Sequence, residues 1–228
     1  MPVASTKKSP DWGAILGILV ASIFFVLFWN TIWLYPIRLL VTLFHELSHG
    51  LAALFTGGRI VRIEIHPNGS GACVTSGGHL FTILNAGYLG SLAWGILFLH
   101  AARRPRYARL FLGSTGILLP SITVAFIRPI FGFGMVSGLL SGLGLLACST
   151  QLSARINGLA LRLIGMISCL YALLDIRADI LDNQGLPSDA TALGALTGIS
   201  PIFWGILWSA IAVPAAVWTL IMTCRRPV

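Results

Sequence analysis

Residues 39–55 read LLVTLFHELSHGLAALF, an apolar helix pattern interrupted only by the run His45-Glu46-Leu47-Ser48-His49. Residues four apart share one helical face, so the imidazoles of His45 and His49 can reach a single zinc ion. Glu46 is turned about 100° away, where its carboxylate can take a proton from an attacking water. With 5 His and 2 Glu in 228 residues, chance supplies an HExxH run roughly 0.001 times in a chain of this composition. A charged group inside an apolar span costs on the order of 3 kcal/mol unless it is partnered, and such groups are functional by default. The plain alternative is a cluster of interhelical hydrogen bonds.

The surroundings of this stretch are made for lipid. Hydrophobic residues are 56% of the chain and charged ones 10%, with a mean hydropathy of +0.88. A soluble domain carries about 25% charged residues. Gly13 to Leu34 is uncharged and long enough to cross the hydrocarbon core, and it reads as an uncleaved first span. Pro36 opens the HExxH helix, which ends at Gly57-Gly58. Further spans are expected over 79–102, 108–127, 131–150, 160–181 and 201–223. The expected fold is an all-α polytopic membrane protein, a six- or seven-helix transmembrane bundle forming one domain over 1–228, with residues 1–12 as a tail.

The formal net charge of +8 does not point to nucleic acid. The basic residues lie mainly in short loops, as with Arg103, Arg104, Arg106 and Arg109, which fits contact with a lipid bilayer and the positive-inside rule. No two of Cys73, Cys148, Cys169 and Cys224 form a CxxC pair, so they read as small hydrophobes.

One stretch departs from the helical pattern. Arg59 to Ile65, RIVRIEI, has a period of two that places Val61, Ile63 and Ile65 on one face and Arg62 and Glu64 on the other. HPNGSG then reads as a turn and ACVTS as a return strand. The expected β-hairpin over 59–76 cannot lie in lipid with open edges, so it must pack on protein, face water or pair with another strand.

A catalytic zinc needs a third protein ligand, with the fourth position left for water. His66, His79 and His100 are available, though lone histidines of this kind are more often surface groups. Four of the seven acidic residues fall in LLDIRADILDNQGLPSDA, residues 173–190. Asp175 and Asp179 share a helical face, and Asp175 is the deeper of the two. Asp182 lies near the end of the span. Asp189 follows Ser188, which reads as an N-cap, so its ordinary role is to stabilise the first turn of the next helix. Asp175 is the favoured third ligand, with Asp179 and Asp189 as alternatives.

With these residues in view, the sequence resembles the site-2 protease family of intramembrane zinc metalloproteases, in its compact branch without a PDZ domain. The likeness rests on FHELSHGLAALFTGG, on the strand-like RIVRIEIHPNGSG after it, and on NAGYLGS at Asn85–Ser91. In the last of these, Ala86, Gly87 and Gly90 would let helices approach closely. The resemblance implies Zn2+ held by His45, His49 and an aspartate, with Glu46 as catalytic base. It also implies cleavage of a transmembrane segment of another protein, paired to the hairpin as an added strand. The family's aspartate commonly stands in an NxxPxxxxDG stretch, and here no Asp precedes a Gly. The alternative to an intramembrane zinc metalloprotease is a catalytically retired membrane protein that binds transmembrane partners. A binding module has no need for Glu46.

Overall fold

The computed structural model describes residues 12–177 and 188–224. They form helices α1 (Trp12–Leu27) and α2 (Tyr35–Phe55), strands β1 (Arg59–Ile65) and β2 (Gly71–Ser76), and helices α3 (Leu80–Ala101), α4 (Pro105–Phe126), α5 (Phe133–Gln151), α6 (Ala154–Arg177), α7 (Asp189–Thr197) and α8 (Pro201–Cys224). Among the described residues six helices, α2 to α6 and α8, are long and apolar enough to cross a membrane. The chain is a multi-pass integral membrane protein whose helices form one bundle around a small hairpin. The expected first span over 13–34 is instead the 16-residue α1 followed by turns over 28–34.

Local chemistry sets the element ends. Pro36 and Pro105 lie in the first turns of α2 and α4, where a missing N–H removes no helical bond. Past α2, Gly57 takes φ +84°, a conformation that side chains disfavour. Ser188 caps α7 through a reciprocal pair with Thr191, as its N-cap reading expected.

Helix α2 is the centre of the bundle. Of its membrane window 72% is buried inside the protein, against 28% for α4 and for α5. Helix–helix approach in lipid depends on close packing, and glycines supply it. A Cβ on Gly95 of α3 would lie 2.5 Å from the Cys169 sulfur of α6, and one on Gly116 of α4 would lie 2.6 Å from the Leu146 nitrogen of α5.

The hairpin is buried against α2, with β1 and β2 antiparallel and Ile63 opposite Cys73. A bulge between Ile60 and Arg62 shifts the register, and this corrects the expected face. Ile60, Ile63 and Ile65 are buried, while Val61 is 48% exposed. The extra residue in a bulge reverses which side chains point inward on one side of it, so Ile60 takes the place that strict alternation gives to Val61. Ile60 packs beside Gly50 of α2. Nearer the turn, the Tyr35 hydroxyl donates to the Pro67 carbonyl and the Thr42 hydroxyl to the Gly69 carbonyl. The outer edge of β1 is covered in part by the α4–α5 connection, where Arg128 N–H donates to the Ile63 carbonyl at 2.9 Å.

Candidate metal centre

The HELSH turn lies at the middle of α2, with His45, Glu46 and His49 each only 6% exposed. The two imidazoles converge on one carboxylate. Asp189 Oδ2 is 3.2 Å from His45 Nε2 and 3.1 Å from His49 Nε2. Ligands of a tetrahedral zinc at about 2.0–2.1 Å stand about 3.3 Å from one another, so these separations suit a shared metal ion. Among the described residues, His45, His49 and Asp189 are the group whose ligand atoms come close enough to hold one.

Asp189 arrives at the site through its own helix. It is the first residue of α7, directly after the Ser188 cap, and α7 is buried through Ala190 and Leu193 against Tyr88, Trp204 and Trp208. Burial alone would raise the pKa of the Asp189 carboxyl. The adjacent His49 and His45, by charge and by hydrogen bonds, outweigh burial and hold it below the ordinary carboxylate range.

The favoured Asp175 is not in this group. Its Oδ2 lies 3.8 Å from His45 Nδ1, the opposite ring nitrogen. The reason lies in the chain's path: α6 passes the HELSH turn on one side, while α7 returns to it on the side the Nε2 atoms face. Asp179 and Asp182 lie outside the described residues. Of the other candidates, His66 is 3.8 Å from Glu64 at the hairpin, His79 meets the Thr82 hydroxyl, and His100 is exposed at the end of α3.

The far side of the His49 ring is fixed by a main-chain contact, with Nδ1 2.7 Å from the Ile83 carbonyl oxygen. A carbonyl only accepts, so Nδ1 carries the proton and Nε2 presents its lone pair to a metal. Gly87 provides the room: a Cβ there would lie 2.4 Å from His45 Nε2 and 2.5 Å from His49 Nε2. One turn along, Gly90 is pressed on Ser48 in the same way, and the Ser48 hydroxyl donates to the Phe44 carbonyl. The NAGYLGS stretch therefore lets α3 lie directly on the HELSH face. Its Asn85 accepts a hydrogen bond from Trp208 Nε1 at 2.7 Å, which ties α8 to the same turn.

Glu46 points the other way, to β2. The Cys73 main-chain N–H donates to its carboxylate, and a Cβ on Gly71 would lie 2.7 Å from Glu46 Oε1. Burial, helped by the Glu46 charge, pushes the Cys73 thiol up to about 12. A cavity of about 450 Å³ joins these parts, lined by His45, Glu46, His49, Tyr171, Asp175 and Asp189 together with residues of β2. Composition and periodicity gave no sign of Gly87, Gly71 or the Ile83 carbonyl. Only the resemblance pointed towards Gly87.

The model of peptidase M50B-like proteins matches residues 18–219. The chain belongs to that family. No curated protein and no solved structure matches it. Membership agrees with the likeness to site-2 proteases drawn from HELSH and NAGYLGS, and it makes this peptidase M50B-like chain a member of a family of membrane metallopeptidases. The His-His-Asp group is the place where such a metal fits.

Proposed function

We propose that the protein is an intramembrane zinc metalloprotease that hydrolyses a peptide bond within or next to a transmembrane segment of another protein. His45, His49 and Asp189 hold the metal, and Glu46 is the catalytic base. One observation carries the reading: a buried two-imidazole, one-carboxylate group, a separate glutamate and a strand edge all line one cavity. The donor set is that of a catalytic zinc site with three protein ligands. When bound, the metal polarises the scissile carbonyl and brings the pKa of a coordinated water towards about 7.

The remaining chemistry belongs to the chain. Glu46 is held by the Cys73 N–H at the edge of β2, near the imidazoles but outside their shared group. From there its carboxylate takes the proton of the attacking water and passes it to the leaving amine. β2 pairs with β1 alone among the described strands, and its other side lines the cavity through Gly71, Cys73 and Thr75. An extended substrate segment can add there by main-chain hydrogen bonds. A peptide bond within a helix is shielded, so the substrate unwinds locally before it is cut.

The test compares wild type with Glu46→Gln on a membrane-embedded reporter followed by gel mobility. The amide cannot accept the proton, and general-base catalysis contributes roughly 10²–10⁴-fold. Cleavage should fall by that order while metal content is kept and uncut reporter co-purifies. Equal cleavage by both forms would overturn the mechanism. If wild type cuts no transmembrane reporter while the variant disturbs a partner complex, the retired-protease reading prevails.

A further inference from the structure

His45 and His49 are held in different ways. Both direct Nε2 towards Asp189, so in a metal-binding state each must carry its ring proton on Nδ1. At His49 that proton meets a main-chain carbonyl at 2.7 Å. At His45, no main-chain acceptor meets Nδ1 among the described residues. Its Nδ1 faces the Ser91 hydroxyl of α3 at 3.4 Å and the Asp175 carboxylate of α6 at 3.8 Å. Ser91 is fully buried, and its own carbonyl accepts from the Ser168 hydroxyl at 2.7 Å, which fixes α3 against α6 at this level. The Asp175 side chain is 29% exposed and lines the cavity on the Nδ1 side of the ring.

One turn before Asp175 on the same face of α6, the Tyr171 hydroxyl lies 3.3 Å from the Thr42 hydroxyl of α2 and its ring 6.0 Å from that of His45. Two successive turns of α6 thus brace the side of His45 that faces away from Asp189. A carboxylate behind a metal-binding imidazole fixes its tautomer and ring orientation and makes its free nitrogen a stronger donor, an effect of 10–100-fold in metal affinity.

We propose that Asp175 is a positioning residue: it accepts the Nδ1–H of His45 and so presents Nε2 to the metal, without itself binding the ion. This rests on the metal site proposed above. Asp175 and Asp189 then divide between them the two nitrogens of one ring.

The test uses the full-length protein in detergent and Zn2+ alone as probe. Stoichiometry comes from metal analysis and affinity from competition with a chromophoric chelator. The forms compared are wild type, Asp175→Ala, Asp175→Asn, Asp175→Glu and Asp189→Asn. Asp175→Ala should still take one zinc per chain but bind it 10–100-fold more weakly. Asp175→Asn, which keeps an acceptor without the charge, should fall between Ala and wild type, and Asp175→Glu should recover most of the affinity. Asp189→Asn should lose stoichiometric binding. Cobalt substituted for zinc supplies a readout that general loosening of α6 would not reproduce: the visible spectrum of Asp175→Ala should keep the band positions of wild type. Wild-type affinity in Asp175→Ala would overturn the proposal. So would a Co2+ spectrum showing a lost ligand in Asp175→Ala while Asp189→Asn keeps its metal. If wild type binds no zinc at all, the metal site itself is overturned, and the two failures are thereby distinct.

Discussion

Gly87 of α3 lies so close to His45 of α2 that a methyl group on it would stand 2.4 Å from the ring Nε2. No heavy atom occupies that space at such a distance, and the neighbours are the two imidazole rings of α2. The space in front of the imidazoles exists because this position has no side chain.

Gly87→Ala should therefore abolish metal binding while leaving the fold intact. Alanine in a helix interior is favoured over glycine by about 1 kcal/mol, which offsets part of the roughly 1–3 kcal/mol that overpacking costs, so thermal unfolding of the metal-free protein should fall by no more than a few degrees. Metal analysis beside a melting curve checks both parts. Full zinc content in the variant would show that the imidazoles do not use the space Gly87 leaves.

His45→Ala and His49→Ala should each reduce zinc from about one per chain to a trace, because a three-ligand site that loses one donor no longer binds tightly. Metal analysis after extensive dialysis is the measurement. Unchanged zinc in both variants would remove the HELSH turn from the site.

The two strands of the hairpin should respond differently to substitution. Ile63 is fully buried and its carbonyl takes the Arg128 bond, so Ile63→Ala should destabilise the protein by about 2–4 kcal/mol and Ile63→Pro should disrupt the hairpin itself. On β2, Cys73 turns its N–H to Glu46. Main-chain direction alternates along a strand, so Gly71, Cys73 and Thr75 all direct their polar groups away from β1. Thr75→Pro removes one such donor without removing a β1 bond. Reporter cleavage should drop at least tenfold with metal content unchanged. Cleavage at the wild-type rate would place the substrate elsewhere.

Acid should release the metal through the imidazoles and not through Asp189. Folding depresses the Asp189 pKa, so its contribution is complete above the ordinary carboxylate value of about 3.9 and is lost only as pH falls through the lower folded value. The imidazoles must be neutral to bind, so each takes up a proton as the metal leaves, and acid drives that exchange. Zinc retention followed by dialysis from pH 8 to pH 4 should show loss complete before pH 4, with a steepness near two protons per metal. Loss that begins only below pH 4 would assign the release to a carboxylate.

The local parts of this site were legible in the sequence because helical periodicity is local. His45 and His49 share a face by spacing alone, and a buried glutamate in an apolar helix has few structural uses. The third carboxylate was not legible, since its approach depends on where the chain returns after α6. Asp189 looked like a first-turn residue next to Ser188, and it is one; the structure adds that this turn lies against two histidines. Asp175, the deeper residue on a long apolar helix, reached the right ring but the other nitrogen. Val61 failed for a different reason. Alternation assumes an unbroken ladder, and the bulge beside Ile60 leaves no mark in a period of two.

The meeting of His45 with Asp189 joins positions 144 residues apart. With zinc in place, the ion becomes a removable staple between the second helix and the far end of the fold. A ligand that binds only the folded form at a thousand times its dissociation constant contributes about 4 kcal/mol of stability. A chelator would therefore act on this protein twice, by removing the reaction's electrophile and by releasing α7 from the helix that carries the histidines. The same metal would then serve both the proposed cleavage and the hold of α7 on α2.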